Sequence, residues 1–74
     1  MKGRPPELKK LGDAIRKVRE SRGFSQDNFA YEIGLGRSYY GSVERGEINV
    51  SALTLIKIVR GLDVEVADIF PKVL

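Results

Sequence analysis

Seventy-four residues make one domain with a marginal core, and with no cysteine there is no disulfide to staple it. The absence of both Cys and His removes the usual zinc sets, thiol nucleophiles and imidazole bases, so no metal or cofactor is expected and an enzyme is disfavoured. Net charge is +3, yet residues 1–22 hold eight basic side chains (Lys2, Arg4, Lys9, Lys10, Arg16, Lys17, Arg19, Arg22) against three acidic ones, a distribution that suits a polyanionic partner and equally a solvated helix face.

Residues 1–6 read as a flexible basic tail. The start MKGRPPELKK has no apolar signal region and no later run reaches membrane-spanning length, so the chain is expected to be cytoplasmic, with no membrane partner. Pro5 and Pro6 suit a helix start, where a missing N–H costs nothing. The spacing of Leu8, Leu11, Ile15 and Val18, joined by Ala14, predicts a first helix over Glu7 to Arg22 with one apolar stripe. Gly12 is its weak point, and Gly23 ends it. Ser25 is a good N-cap for a second helix, Gln26 to Ile33, although Asn28 stands where Glu or Gln would complete a capping box. Gly36 caps a third helix, Arg37 to Arg45, and Gly46 stops it. After a loop from Glu47 to Val50, Ser51 caps a fourth helix, Ala52 to Gly61. Leu53, Leu55, Ile56, Ile58 and Val59 make that helix apolar on more than one side, so it is either the central core helix or part of an interface. A short fifth helix is predicted over Val66 to Phe70, with Pro71 ending it. The fold class is all-α, with five helices.

The segment QDNFAYEIGLGRSYYGSVER, Gln26 to Arg45, carries the most information. Phe29 and Ile33 share one face of a helix, and Tyr40 and Val43 repeat the pattern on the next. Leu35 can plug the corner between them. Ala30 is small enough for two helices to cross closely, and Gly34 supplies the left-handed residue that a chain turning out of a helix usually needs. These features describe a helix-turn-helix whose second helix can lie in the major groove of DNA.

The ordered segments Ile15 to Arg19, Gly23 to Gln26, Phe29-Ala30, Ile33-Gly34, Tyr39-Tyr40, Val43 to Gly46, Leu55 to Ile58 and Val66 to Phe70 span most of the chain. Through them it resembles the lambda-repressor-like (Cro/C1-type, Xre) helix-turn-helix domains of phage repressors and small bacterial regulators. The resemblance implies a five-helix bundle. It also implies that the third helix enters the major groove, with Arg37, Ser38 and Ser42 at the base-reading positions. The Arg37 guanidinium can donate two parallel hydrogen bonds to guanine O6 and N7, whereas the two short serines specify less. Gly41 stands where many relatives carry a polar side chain, a departure that would let the helix backbone approach DNA closely. Implied backbone contacts are Ser25, Gln26, Tyr39, Arg45 and Asn49, with Gln26 at a helix N-terminus that favours an anion. Ser25 serves equally as a cap alone, and Tyr39 equally as a packing residue. Tyr40 is expected in the core, Tyr31 on the surface. Relatives also imply an Arg19–Glu44 salt bridge that fixes how the recognition helix sits, against a bland alternative of two solvated charges. Lys2 and Arg4 either wrap DNA as an arm or form a solvated end.

The function expected is that of a sequence-specific, DNA-binding transcriptional regulator. It would bind double-stranded DNA as a homodimer, on a pseudo-palindromic operator with half-sites about one turn apart. The size resembles that of restriction-modification controller proteins, which regulate their own operon. It also fits small phage repressors and antitoxins, and a protein-interaction module that has kept the fold without DNA binding remains a separate class. The dimer surface is expected at helix four's outer face and residues 64–74, through Val64, Ile69, Phe70, Val73 and Leu74, with Ile69 or Phe70 alternatively finishing the protomer core. No small-molecule ligand is expected, because the sequence leaves no room for a ligand domain after the bundle. The glycines near Gly34 and Gly36 are helix punctuation rather than a nucleotide-binding fingerprint, since no strand precedes them.

Overall fold

Pro6 takes the first helical position, one residue earlier than the sequence pattern suggests, because its fixed φ is already helical and the backbone donor it lacks is not needed there. In the computed structural model, which describes residues 4–73, the helices are α1 (Pro6–Ser21), α2 (Gln26–Glu32), α3 (Arg37–Glu44), α4 (Ala52–Leu62) and α5 (Val66–Ile69). A 3-10 turn, Phe70–Lys72, follows α5. No strand occurs among the described residues, and none of their helices is long and apolar enough to cross a membrane. Lys2 and Leu74, given roles in DNA wrapping and dimerisation above, lie outside the described residues.

Serine hydroxyls start two of the helices. Ser25 Oγ accepts from the Asn28 N–H and Ser51 Oγ from the Thr54 N–H, each at 3.1 Å, a contact worth about 1 kcal/mol at an N-cap. The helices α1, α2, α3 and α5 each end one residue before the expected position, and two ends differ in how they are made. The helix α4 does not stop at Gly61 but continues to Leu62, and Asp63 turns the chain with φ 59° and ψ 46°, a left-handed conformation that a short polar side chain tolerates. Gly61 serves a different purpose: a Cβ there would fall on the Ile33 side chain and within 3.1 Å of the Phe29 ring. Nor does Pro71 end the helical path. It sits in the first turn of the 3-10 segment, where no backbone donor is required.

Ile15, Phe29, Tyr40, Ile58, Leu62 and Ile69 are the largest fully buried side chains, so all five helices contribute to one core. The ring of Phe29 lies between Phe24 and Tyr40, with centroids 5.2 and 5.4 Å away, and meets Tyr40 edge-on as aromatic quadrupoles prefer. The apolar helix α4 answers both descriptions offered for it. Ile58, Val59 and Leu62 face the core, while Leu53 is 75% exposed and Ile56 37%. Ile69 and Val73 are buried within the protomer. The helix α5 and the turn after it fold back against α1, and these two side chains close the core there, which is the alternative left open for Ile69 and a correction for Val73, placed above on a dimer surface. Val64 and Phe70 remain partly buried.

Gly12 is a contact and not merely a weak point. A Cβ there would fall on the carbonyl oxygen of Glu44 and lie 2.7 Å from that of Val43. The two helices α1 and α3 therefore meet backbone to backbone. Alanine would gain about 1 kcal/mol of helix propensity, but forcing the helices apart costs about 1–3 kcal/mol as overpacking does. Gly12→Ala is thus expected to lower the urea midpoint. A midpoint at or above that of the parent would show that α3 can shift freely on α1.

Candidate nucleic-acid interface

The turn between α2 and α3 is set by backbone chemistry. Gly34 adopts φ 75°, which lets the Leu35 N–H reach back to the Ala30 carbonyl at 2.9 Å and close the end of α2. Leu35 packs against the core at the corner. Gly36 begins α3 in an extended conformation, with no capping side chain, and its carbonyl accepts from the Tyr40 N–H at 2.9 Å.

The two sides of α3 differ sharply. Tyr40, Gly41, Val43 and Glu44 are buried, whereas Arg37, Ser38 and Tyr39 are exposed and Ser42 is half-buried. Arg37 is the only cationic side chain on this helix. Its Nη1 lies 3.3 Å from Oδ2 of Asp27, on the first turn of α2. Ser42 donates to the Ser38 carbonyl at 3.1 Å and lies 3.4 Å from Arg45 Nη2, so in the free protein its hydroxyl bonds its own helix. Gly41 corrects the expectation of close backbone approach to DNA. It is buried, and a Cβ there would stand 2.9 Å from Arg45 Nη1 and 3.4 Å from Gln26 Oε1. The missing side chain makes room for those two residues.

Among the expected backbone contacts, Ser25 already uses its oxygen as the cap of α2, and the Gln26 side chain turns inward, its Nε2 donating to Glu44 Oε1 at 3.0 Å. Arg45 and Asn49 are exposed beyond the end of α3, and Tyr39 is 38% exposed. Arg45 Nε donates to Glu47 Oε2 at 3.0 Å, a bond that raises the arginine pKa and lowers the glutamate's. Arg4 Nε donates to the Glu47 carbonyl at 2.5 Å, which brings Arg4 alongside the loop after α3.

Beneath this surface Arg19 and Glu44 meet, with Nε to Oε2 at 2.7 Å and Nη2 to Oε1 at 3.1 Å. The side chains are 8% and 2% exposed, so they are not the solvated pair of the alternative reading. Tyr40 donates its hydroxyl to Glu44 Oε2 at 2.5 Å, and Arg19 Nη1 donates to the Phe24 carbonyl at 2.7 Å. Each Arg19 nitrogen, both Glu44 oxygens and the Tyr40 hydroxyl have a partner, and no buried side-chain polar atom lacks one among the described residues. Burial alone would raise the Glu44 pKa. Hydrogen bonds from Arg19, Tyr40 and Gln26, with the arginine charge, outweigh it and hold the carboxyl below its ordinary value. For Tyr40, burial and then the bond to Glu44 push the phenol above its usual range. The parts played by Tyr40 and Gln26 were not anticipated. The one available signal was the four-residue spacing of Tyr40 and Glu44, which stacks them on one helix face.

Two short helices at a glycine turn, an outward face with one arginine, and a buried ion pair tying that helix to α1 define a helix-turn-helix domain. The family model described as helix-turn-helix matches residues 15–69, and the chain belongs to that family. It is 40% identical to the control protein C.MunI of Mycoplasma sp over 62 residues, 82% of this chain and 84% of that protein. The restriction-modification controller protein C.AhdI of Aeromonas hydrophila superposes with a TM-score of 0.83 at 42% identity, over 86% of this chain and 97% of that one. The controller protein C.Esp1396I, solved as a tetramer in complex with its natural 35 base-pair operator, superposes with a TM-score of 0.80 at 31% identity, over 90% and 88%.

Proposed function

We propose that this protein is a sequence-specific DNA-binding transcriptional regulator of the restriction-modification controller kind, acting as a homodimer on a pseudo-palindromic operator in the cytoplasm and regulating its own operon. The observation that carries this reading is the outward face of α3. Arg37, Ser38 and Tyr39 are exposed there, on a helix held rigidly by Arg19 and Glu44, and an arginine at that place can read guanine in the major groove. Relatives that are controller proteins, one of them bound to its operator, support it. The exposed Leu53 and Ile56 on α4, with the partly buried Val64 and Phe70, offer the apolar surface that a second protomer would cover. Regulation would then follow protein concentration, with no catalysis and no small-molecule inducer.

A mobility-shift titration on DNA upstream of the gene tests this. Binding selective for one duplex is expected, with an affinity that falls linearly on logarithmic axes as salt rises. Equal binding to unrelated duplexes at every salt concentration would overturn the reading.

A further inference from the structure

The base-reading arginine has a partner in the free protein. Asp27 and Arg37 sit on different helices, ten residues apart, and the turn at Gly34 is what brings them to 3.3 Å. Their side chains are 59% and 73% exposed. An ion pair that open to water adds little to stability. Its consequence is directional. The Asp27 carboxylate engages Nη1 of a planar, rigid fork and leaves the edge formed by Nε and Nη2 with its N–H groups free. That edge supplies the two parallel donors that guanine O6 and N7 require. The same carboxylate carries a negative charge beside the face that would approach a polyanion.

We propose that Asp27 is a positioning residue for base recognition, which holds Arg37 by one nitrogen and competes with DNA phosphates for its charge. This rests on Arg37 reading a base. On a cognate site, Arg37 gains guanine while keeping Asp27. On other DNA, Asp27 remains its best partner, and the arginine is withheld from nonspecific contact with the backbone. Asp27 therefore raises selectivity while lowering affinity for every sequence.

The test is Asp27→Asn, which keeps the shape and removes the charge. Affinities are measured for the operator duplex and for a non-operator duplex of equal length, in the parent and in the Arg37→Ala background. In the parent background both affinities are expected to rise, the non-operator more, so that the selectivity ratio falls about fivefold, the lower end of what one bidentate base contact supplies. In the Arg37→Ala background the substitution should leave the ratio unchanged. A ratio that Asp27→Asn leaves constant or raises, while Arg37→Ala lowers it, would overturn the positioning role alone. If Arg37→Ala leaves the ratio unchanged, base reading by Arg37 fails and the positioning role falls with it. A lowered melting temperature with both affinities reduced together would show Asp27 acting only as a favourable charge at the start of α2, and would also overturn the proposal.

Discussion

Glu44→Ala is expected to leave the protein largely unfolded at room temperature. Removing one member of a buried ion pair costs about 3–5 kcal/mol, because the other charge stays buried without compensation. A domain of this size has a total stability near the low end of about 5–15 kcal/mol. Here the loss goes further than one pair. Arg19 would keep only the Phe24 carbonyl and a long, 3.8 Å approach to Glu20, while the Tyr40 hydroxyl and the Gln26 amide would lose their acceptor. Thermal unfolding followed by circular dichroism reads the effect. A melting temperature within a few degrees of the parent would mean that the network does not seat α3. The same group makes stability depend on acid. The folded-state pKa of Glu44 lies below the ordinary 4.5, so its stabilisation is complete above that value and is lost as pH falls through the folded-state pKa. Unfolding free energy should therefore begin to fall near pH 4.5 and decline further below it, and Glu44→Gln should flatten that acid limb.

Arg37→Ala should act on binding and leave the fold alone. The side chain is exposed and makes one weak ion pair, so the unfolding free energy is expected to stay within about 0.5 kcal/mol of the parent's. A bidentate contact to guanine is worth about 1–3 kcal/mol of discrimination. Two half-sites on a dimer double that, so operator affinity should drop between about 30-fold and more than 10⁴-fold. The salt slope should scarcely change, because losing a base contact leaves the phosphate contacts in place, whereas losing a phosphate contact would reduce the slope by about one. An unchanged operator affinity, or a uniform loss across sequences with a shallower slope, would reassign Arg37 to the backbone.

The helices were readable because each carries its own local signals. Ser25 and Ser51 announce caps, Gly34 announces a turn that only a left-handed residue closes, and the stripe from Leu8 to Val18 announces a buried face. Positions whose meaning depends on another element were harder. Gly12 looks like a flaw in α1 until α3 is laid across it, and Gly61 looks like a helix end until Phe29 and Ile33 are packed beside it. Apolar residues near the C-terminus read alike whether they finish a protomer or face a second copy: Ile69 was left open between the two and proves buried in the protomer, while Val73, read as facing a second copy, is buried there too. Arg19 and Glu44 stand 25 residues apart, so no periodicity joins them; the resemblance to a family did. Gln26 was read from its place at a helix start as a phosphate contact, and nothing in its neighbours foretold that its amide points inward to Glu44. Asp27 looks like any surface acid until the turn carries it to Arg37.

The helix α3 divides seven of its eight residues between two kinds of constraint, with the half-buried Ser42 at the boundary. Tyr40, Gly41, Val43 and Glu44 answer to the interior, while Arg37, Ser38 and Tyr39 have no place in it. On the proposed reading of α3 as the base-reading helix, the address could therefore be rewritten by exchanging a few outward side chains, with the scaffold left intact. Duplicated genes for such a chain can drift apart in target within very few substitutions, each intermediate still folding. Insulation between regulators that share one cell is then an evolutionary problem of three or four positions.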